Sequence, residues 1–480
     1  MEKLLPKNRF ARAVSVLAGG TAGAQLIVIA ASPILTRLYS PEDFGLLAVY
    51  AAILGILSVI ASLRYQLAIP VPESEEEAAS IATLSLLLVC FTVLCSSLAL
   101  WFFGNQLVNL LNTPDLSIYL WLIPLGLFLA GTYQVLQYWA IRQKAFSNIA
   151  GTRLTQSSGM VIIQVGGYAL GPVALLIGRV VGQSFGVFGL GKLAFMKNRA
   201  SFRSVNKESI TNVAKTYKNF PLIGTWTGLT SSAGMNLPPL LIAAFLGASS
   251  AGLFSLAHRV LSQPMAIIGK AISDAFYQRA AEANRAGDLG EAVESVYSTL
   301  VKLALAPAIT IFLVIPDVFV IVFGDGWTTA GEVARWMTPW LFFQFVVSPC
   351  TGIYPIIDRH DIALRFQLSL LVASLFGSIV GGFYFGDLVW VVLIISALSS
   401  FIYLWRAATT FNVVGVRWLS SVFIFLKSIP LSLIINIPAL FSLSVFEDDI
   451  VWLSLGVFCS GFLWFLFILM PMVRENRYVG

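Results

Sequence analysis

The chain has 480 residues, of which 58% are hydrophobic and only 11% charged, and its mean hydropathy is +0.84. A water-soluble domain carries roughly 25% charge, so composition excludes soluble folds and makes lipid the solvent for most of the chain. The net charge of +6 would suit a nucleic-acid binder, but in a chain of apolar spans loop cations are first a matter of topology, and no nucleic-acid partner is expected.

The opening residues MEKLLPKNRFARAV carry four cations and run into a full-length apolar segment without a short h-region and cleavage site, so the first helix is expected to stay in the protein. Apolar runs of about 20 residues, enough to cross about 30 Å of hydrocarbon, then recur to the end of the chain. They fall at 11–36, 44–69, 79–103, 117–141, 150–170, 173–195 and 219–246, then at 250–277, 297–322, 333–356, 362–386, 388–411, 421–443 and 449–472. Short turns such as YSPEDFG, LGP, LGASSAG, FGDGW and FEDD separate them. The expected fold class is an all-α polytopic membrane protein of about fourteen transmembrane helices.

Lys and Arg stay in cytoplasmic loops, whereas acids contribute little to orientation. One side of the predicted topology collects Lys3, Lys7, Arg9 and Arg12, then Arg142, Lys144 and Arg153, then a basic run from Lys192 to Lys218. Farther along it receives Arg279, Arg285, Lys302, Arg359, Arg365, Arg406, Arg417, Lys427, Arg474 and Arg477. The opposite loops hold little beyond Arg37 and Arg335. This asymmetry predicts an even number of spans with both termini cytoplasmic, and the acidic stretch Glu73 to Glu77 in a cytoplasmic loop is permitted.

Shifted by 207 residues, PILTRLYSPEDFGLLAVY lies over LLIAAFLGASSAGLFSLA, with Gly45 on Gly252 and Leu46 on Leu253. The shared layout is a helix rich in small residues, an outer turn, then Gly opening the next helix. It predicts two parallel repeats: a six-helix lobe over 1–195, a basic cytoplasmic linker over 196–218, a second six-helix lobe over 219–411, and two additional helices over 421–473.

Charges inside spans are costly and are functional candidates by default. Arg64 is expected in the inner third of helix 2, Arg179 in the outer half of helix 6 and Arg259 near the middle of helix 8. On helix 8, Arg259, Gln263, Ala266, Lys270 and Asp274 recur at three- and four-residue steps and share one face. Helix 1 offers Arg12, Ser15, Gly19, Ala22, Gln25 and Ser32; helix 5 offers Arg153, Gln156, Met160, Gln164 and Tyr168; helix 7 offers Thr225, Gly228, Ser232 and Asn236. Together they predict a wet, cationic cavity. Arg64, Arg179 and Arg259 would bind a phosphate or pyrophosphate, since guanidinium offers paired donors that stay charged, and Gln25, Arg153, Gln263 and Asn236 would join the substrate-binding set. The competing explanation is that the arginines snorkel or bond helix carbonyls to hold the bundle together. Lys270 and Asp274 are candidates for a gate or coupling pair, against a plain local ion pair one helical turn apart.

Trp101, Trp121, Trp139, Trp327 and Trp340 lie near predicted span ends and read as interfacial anchors. Pro124, Pro264, Pro307 and Pro339 fall within spans and would each free a backbone carbonyl. Cys90, Cys95, Cys350 and Cys459 show no metal-ligand spacing, His258 and His360 have no evident catalytic partner, and neither a Walker loop nor a nucleophile elbow is present, so no enzyme, metal or cofactor is expected. A proton or sodium gradient could couple movement of a substrate.

The stretch GGTAGAQLIVIAASPILTRLYSPEDFGLLAVYAAILGILSVIASLRYQLAIPVPESEEEA, with LTRLYSPEDFG and LRYQLAI as its nearest matches, resembles the opening of Wzx-type polysaccharide-biosynthesis flippases of the multidrug/oligosaccharidyl-lipid/polysaccharide exporter superfamily. LFSLAHRVLSQPMAIIGKAISDAFYQ resembles that family's eighth helix. The resemblance implies two six-helix bundles in a V plus two C-terminal helices. It also implies movement of an undecaprenyl-pyrophosphate-linked oligosaccharide repeat unit from the cytoplasmic to the outer leaflet of the inner membrane, for O-antigen, lipopolysaccharide or another polysaccharide. Arg259 falls where relatives use a cavity cation, and Arg64 lies within LRYQLAI. Membrane lipids and the glycan polymerase machinery are the implied partners. In a related lipid-II flippase group the last two helices form a groove for the polyprenyl tail, which would suit the extra pair here. The rival functions are a cation-coupled multidrug antiporter of the same superfamily, which would want a buried carboxylate, and a membrane-bound glycan polymerase or acyltransferase, which the short outer loops oppose.

Overall fold

A computed structural model describes residues 9–197, 199–445 and 450–472. The expected cytoplasmic termini fall largely on 1–8 and 473–480, and the FEDD turn on 446–449, outside the described residues; the side chain of Arg12 is likewise outside them. Among the described residues all regular structure is helical. The chain packs as two compact units, Met1–Ser255 and Leu256–Gly480.

The first unit contains α1 (Arg9–Leu38), α2 (Pro41–Ile60), α3 (Glu75–Leu110), α4 (Leu122–Arg142), α5 (Phe146–Gly166), α6 (Pro172–Lys197), the short α7 (Arg199–Arg203) and α8 (Lys207–Thr216), and the first part of α9 (Thr225–Ala286). Local chemistry sets the boundaries. Ser40 caps α2 in a reciprocal box with Asp43, and Pro41 occupies the first turn, where a missing N–H costs nothing. Ser74 caps α3, and Glu75, Glu76 and Glu77 stand at its positive end. Within α9 the backbone is broken at Gly247 (φ 83°, ψ 173°), a conformation that suits glycine, so 225–246 and 248–286 are two helices.

Close packing in this unit runs on glycine. On α6, Gly178, Gly182 and Gly186 recur every four residues and let the backbone approach Gln164, Met160 and Gln156 of α5 in antiparallel order. Gly20 and Gly23 of α1 meet Ala150 and Leu154 of α5 in parallel order. Along α2 and the first half of α9 the pairings are Gly45 with Ala248, Gly55 with Asn236, and Arg64 with Gly228, again antiparallel. Gly252 sits against the Pro41 carbonyl while Gly45 sits against the Ala248 carbonyl. Adding the repeat offset of 207 to 41 and 45 gives 248 and 252, so the two contacts are exchanged by the repeat, as in an isologous two-fold contact.

The second unit holds the rest of α9, then α10 (Leu289–Phe323), α11 (Thr328–Val347), α12 (His360–Val380), α13 (Leu388–Val413), α14 (Trp418–Ile435), α15 (Ile437–Val445) and α16 (Ile450–Trp464). Its core gathers Tyr297, Val301, Val347, Tyr354, Phe366 and Phe411. Two prolines inside α10 free the carbonyls four residues earlier, and both are recaptured: Trp464 Nε1 donates to Leu303 O at 2.9 Å below Pro307, and Arg335 Nε donates to Phe312 O at 3.2 Å below Pro316. Asn436, fully buried between α14 and α15, donates to Ala306 O at 3.1 Å. The last helices are therefore held to α10 by polar groups that fill its kinks, which matters where no water can do so.

Ten helical stretches among the described residues are long and apolar enough to cross a membrane, with Phe220–Ala286 counted as one. Against the expected count of about fourteen, the described residues supply ten such stretches; α4, α5 and α11, with 21, 21 and 20 residues, are not among them, and the break at Gly247 divides Phe220–Ala286 into two helices.

Three expectations are corrected. Helix 2 does not run unbroken over 44–69; it stops at Ile60, turns through Leu63 and Arg64 in left-handed conformation (φ 47° and 64°), and resumes as a 3-10 turn at Tyr65–Ala68. Trp139 and Trp327 are not interfacial anchors: they are 1% and 2% exposed, because each ring fills a helix junction, whereas Trp101 is 85% exposed. The polar stripe of helix 5 does not line open space throughout, since Gln164 is buried and donates Nε2 to Leu175 O at 2.9 Å across the α5–α6 contact.

Candidate functional site

Arg64 owes its position to a buried polar clamp. Ser62 donates to Gln66 Oε1, and Gln66 Nε2 donates to Gln134 Oε1 of α4 at 3.2 Å, with Ser62 and Gln66 both fully buried. This holds the turn between α2 and the 3-10 segment in a backbone conformation that costs L-residues roughly 1–2 kcal/mol each. The side chain so presented lies against Gly228, where a Cβ would meet the guanidinium, and its own Cβ is 3.6 Å from the Cβ position of Gly224. Its Nε is buried and without a hydrogen-bond partner.

Two further arginines of the sequence-predicted set stand in the same unit. Arg153 of α5 donates to Thr21 Oγ1 of α1, one helical turn from Gln25, whose Oε1 is buried without a partner. Arg179 of α6 is within electrostatic range of the Tyr50 hydroxyl of α2, which donates to Leu122 O at 3.1 Å; the Arg179 Nε is also buried and unpartnered. Among the described residues, Arg64, Arg153 and Arg179 form no ion pair. Stripping a guanidinium of water without supplying an anion is expensive, and the buried, unpartnered Nε atoms of Arg64 and Arg179 make each of these side chains by itself a candidate for an anionic ligand.

Asn236 takes part differently. Its Nδ2 donates to Ser232 O at 2.9 Å, Ser232 Oγ donates to Gly55 O at 2.9 Å, and the Asn236 amide packs on Gly55. The helix-7 stripe is thus the seam against α2 that leads along to Arg64.

In the second unit, Arg259, Gln263, Lys270 and Asp274 lie on the continuous helix 248–286, as their spacing predicts. Arg259 and Gln263 are half-buried. Lys270 Nζ pairs with Asp274 Oδ2 at 3.2 Å, and both are largely exposed, 77% and 61%. His258, beside Arg259, stacks on Trp340 with ring centroids 5.9 Å apart.

Sequence reasoning overlooked the partners that position these groups: Tyr50 beside Arg179, and the Ser62–Gln66–Gln134 clamp beneath Arg64. The i, i+4 glycines of α6 were a readable signal for the α5–α6 contact; nothing in SLRYQLAI marks a left-handed turn. On the cytoplasmic side of the predicted topology, Arg142 is paired with Glu75 at 3.3 Å and donates to the carbonyls of Ile69, Pro72, Glu73 and Ser74, and so acts as a clasp for the α2–α3 loop. Tyr217 donates to Glu77 at 3.1 Å; burial, then that carboxylate, raises its pKa. With Tyr65 donating to Ala214 O at 2.9 Å, this docks the basic linker helix α8 onto the unit.

Comparison with known proteins places these features in a family. The polysaccharide biosynthesis protein family matches residues 34–332, more than half of the chain. The succinoglycan biosynthesis transport protein ExoT of Rhizobium meliloti (strain 1021) is 24% identical over 354 residues, covering 70% of this chain; the chain spans 66% of that relative's length. In fold, the chain is similar to the lipid II flippase MurJ in an inward closed conformation, with a TM-score of 0.74 at 12% identity over 96% of this chain and 99% of that one. It is also similar to an inward-facing multidrug resistance MATE family transporter of the MOP superfamily, with a TM-score of 0.59 at 14% identity over 83% and 94% of the two chains. The apolar helices, the glycine-packed units and these matches agree that this multi-pass membrane protein, built on the all-helical fold of MOP-superfamily transporters, belongs to the polysaccharide biosynthesis protein family.

Proposed function

We propose that the protein is a flippase that moves an undecaprenyl-pyrophosphate-linked oligosaccharide across the inner membrane by alternating access, supplying O-antigen or another surface polysaccharide. The observation that carries this reading is the set of arginines in the first unit, Arg64 above all, held in protein without an acidic partner. A lipid pyrophosphate brings the missing anion, and guanidinium forks match its oxygens. The family assignment and the transport relative support a glycan cargo.

In this proposal the chain crosses the bilayer fourteen times with both termini cytoplasmic, in two repeat lobes over 1–195 and 219–411 with an added helix pair. Arg64 meets the headgroup, Arg179 and Arg153 line its path in the first unit, and Arg259 with Gln263 serves it in the second. Gln25 and Asn236 offer hydrogen bonds to sugar hydroxyls. Lys270 and Asp274 stand ready as a gate pair, and a proton or sodium gradient would drive the cycle.

Flipping of a fluorescent lipid-linked oligosaccharide in reconstituted vesicles tests this. Wild type should move the lipid, and Arg64→Ala and Arg259→Ala should be impaired. Transport of an organic cation with no movement of the lipid pyrophosphate would instead identify an antiporter.

A further inference from the structure

A groove of about 430 Å³ opens on the first unit, away from the arginines, between α3, α4 and α6. Cys90 of α3, Phe128 and Thr132 of α4, and Phe188, Gly191 and Lys192 of α6 are among its walls. The contributing positions on α4 are spaced by four residues, as one helix face requires. Gly191 keeps the groove open: a Cβ there would meet Leu136 Cδ1 only at 3.7 Å. The projecting rings of Phe128 and Phe188 form banks on either side.

Lys192 is the one charged group among the lining residues, is exposed, and has no ion pair or hydrogen bond among the described residues. It stands five residues before the basic end of α6 at Lys197, about 7–8 Å along the axis, within the reach of a snorkelling ammonium toward the headgroup level. A lined apolar slot with a cation at its headgroup end has two chemical requirements: a long hydrocarbon chain for the slot and an anion for the lysine. A zwitterionic headgroup answers the second poorly, because its own ammonium competes for its phosphate.

We propose that this groove is a binding site for an anionic glycerophospholipid, with one acyl chain between Phe128 and Phe188 and the phosphate on Lys192. Basic pockets between transmembrane helices are suited to anionic headgroups, and one lysine near such a surface changes occupancy by about fivefold. The site is independent of the cargo, since none of its walls belongs to the arginine set.

The test uses the full-length protein purified in mild detergent, with phosphatidylglycerol and phosphatidylcholine as probes, bound lipid counted by native mass spectrometry. Wild type should retain phosphatidylglycerol about fivefold more strongly than phosphatidylcholine, and Lys192→Gln should abolish that preference. Gly191→Leu, which fills the slot, should lower retention of both. A diazirine-bearing phosphatidylglycerol should label peptides containing Cys90, Phe128 or Phe188 in wild type and lose that labelling in Gly191→Leu. Equal retention of the two lipids by wild type, an unchanged preference in Lys192→Gln, or labelling confined to other helices would overturn the site. Displacement of phosphatidylglycerol by an equimolar polyprenyl phosphate would overturn the glycerophospholipid assignment.

Discussion

The sharpest test of the arginine site leaves the arginine in place. In Gly228→Ala the new Cβ would run into Arg64 Nη2, the nearest atom, and stand 2.5 Å from Nε and 2.6 Å from Cζ, so the guanidinium must retreat by about 1.5 Å to reach ordinary contact. The atoms met are the far end of a flexible side chain, and the fold should absorb the change with little loss of thermal stability. A charge-assisted hydrogen bond contributes about 1.5–3 kcal/mol, so misplacing the donor should lower flipping efficiency by about 10- to 100-fold in proteoliposomes carrying the lipid-linked oligosaccharide. Arg64→Ala should lose a similar factor, and the double variant should lose little more than Arg64→Ala alone, because both act on one interaction. Wild-type transport by Gly228→Ala, or losses that multiply in the double variant, would show that Gly228 acts through packing and that the position of the guanidinium is irrelevant.

Gly45→Ala puts a Cβ into the Ala248 backbone carbonyl, which cannot give way as a side chain can, so it should destabilise by about 1–3 kcal/mol in thermal unfolding. Gly19→Ala, with open space around the new methyl, should be neutral or slightly stabilising in the same scan. Trp464→Phe removes the donor to Leu303 O and should cost about 0.6–2 kcal/mol; adding Pro307→Ala restores an N–H to that carbonyl and should recover most of it, and no recovery would disprove the kink-filling role. Lys270→Ala breaks an exposed pair worth less than about 1 kcal/mol; the midpoint of unfolding should hold while transport falls, and wild-type transport would remove the pair from the gate.

Much of the fold was legible because hydropathy is a local quantity. A run such as Glu75–Leu110 announces a membrane helix whatever surrounds it, and the capping box at Ser40 marks a helix start without reference to any other segment. The offset of 207 residues set Gly45 over Gly252 in the sequence, and only the structure shows that the two lie back to back. The candidate site was legible as a list of costly charges and not as a geometry. Periodicity put Gln164 and Arg153 on one helix face, yet the first is spent on the α5–α6 contact while the second reaches α1.

The sequence by itself therefore determined the solvent, the helices and the residues too polar to meet lipid unaided, because each of these follows from transfer free energies summed along a short stretch. Only the tertiary structure decided which of those polar residues are consumed by the bundle and which keep unspent donors. That depends on partners far away in the chain: Gln134 bracing the left-handed turn that aims Arg64, Gly228 leaving room for its guanidinium, and Trp464 and Arg335 taking the carbonyls that two prolines release.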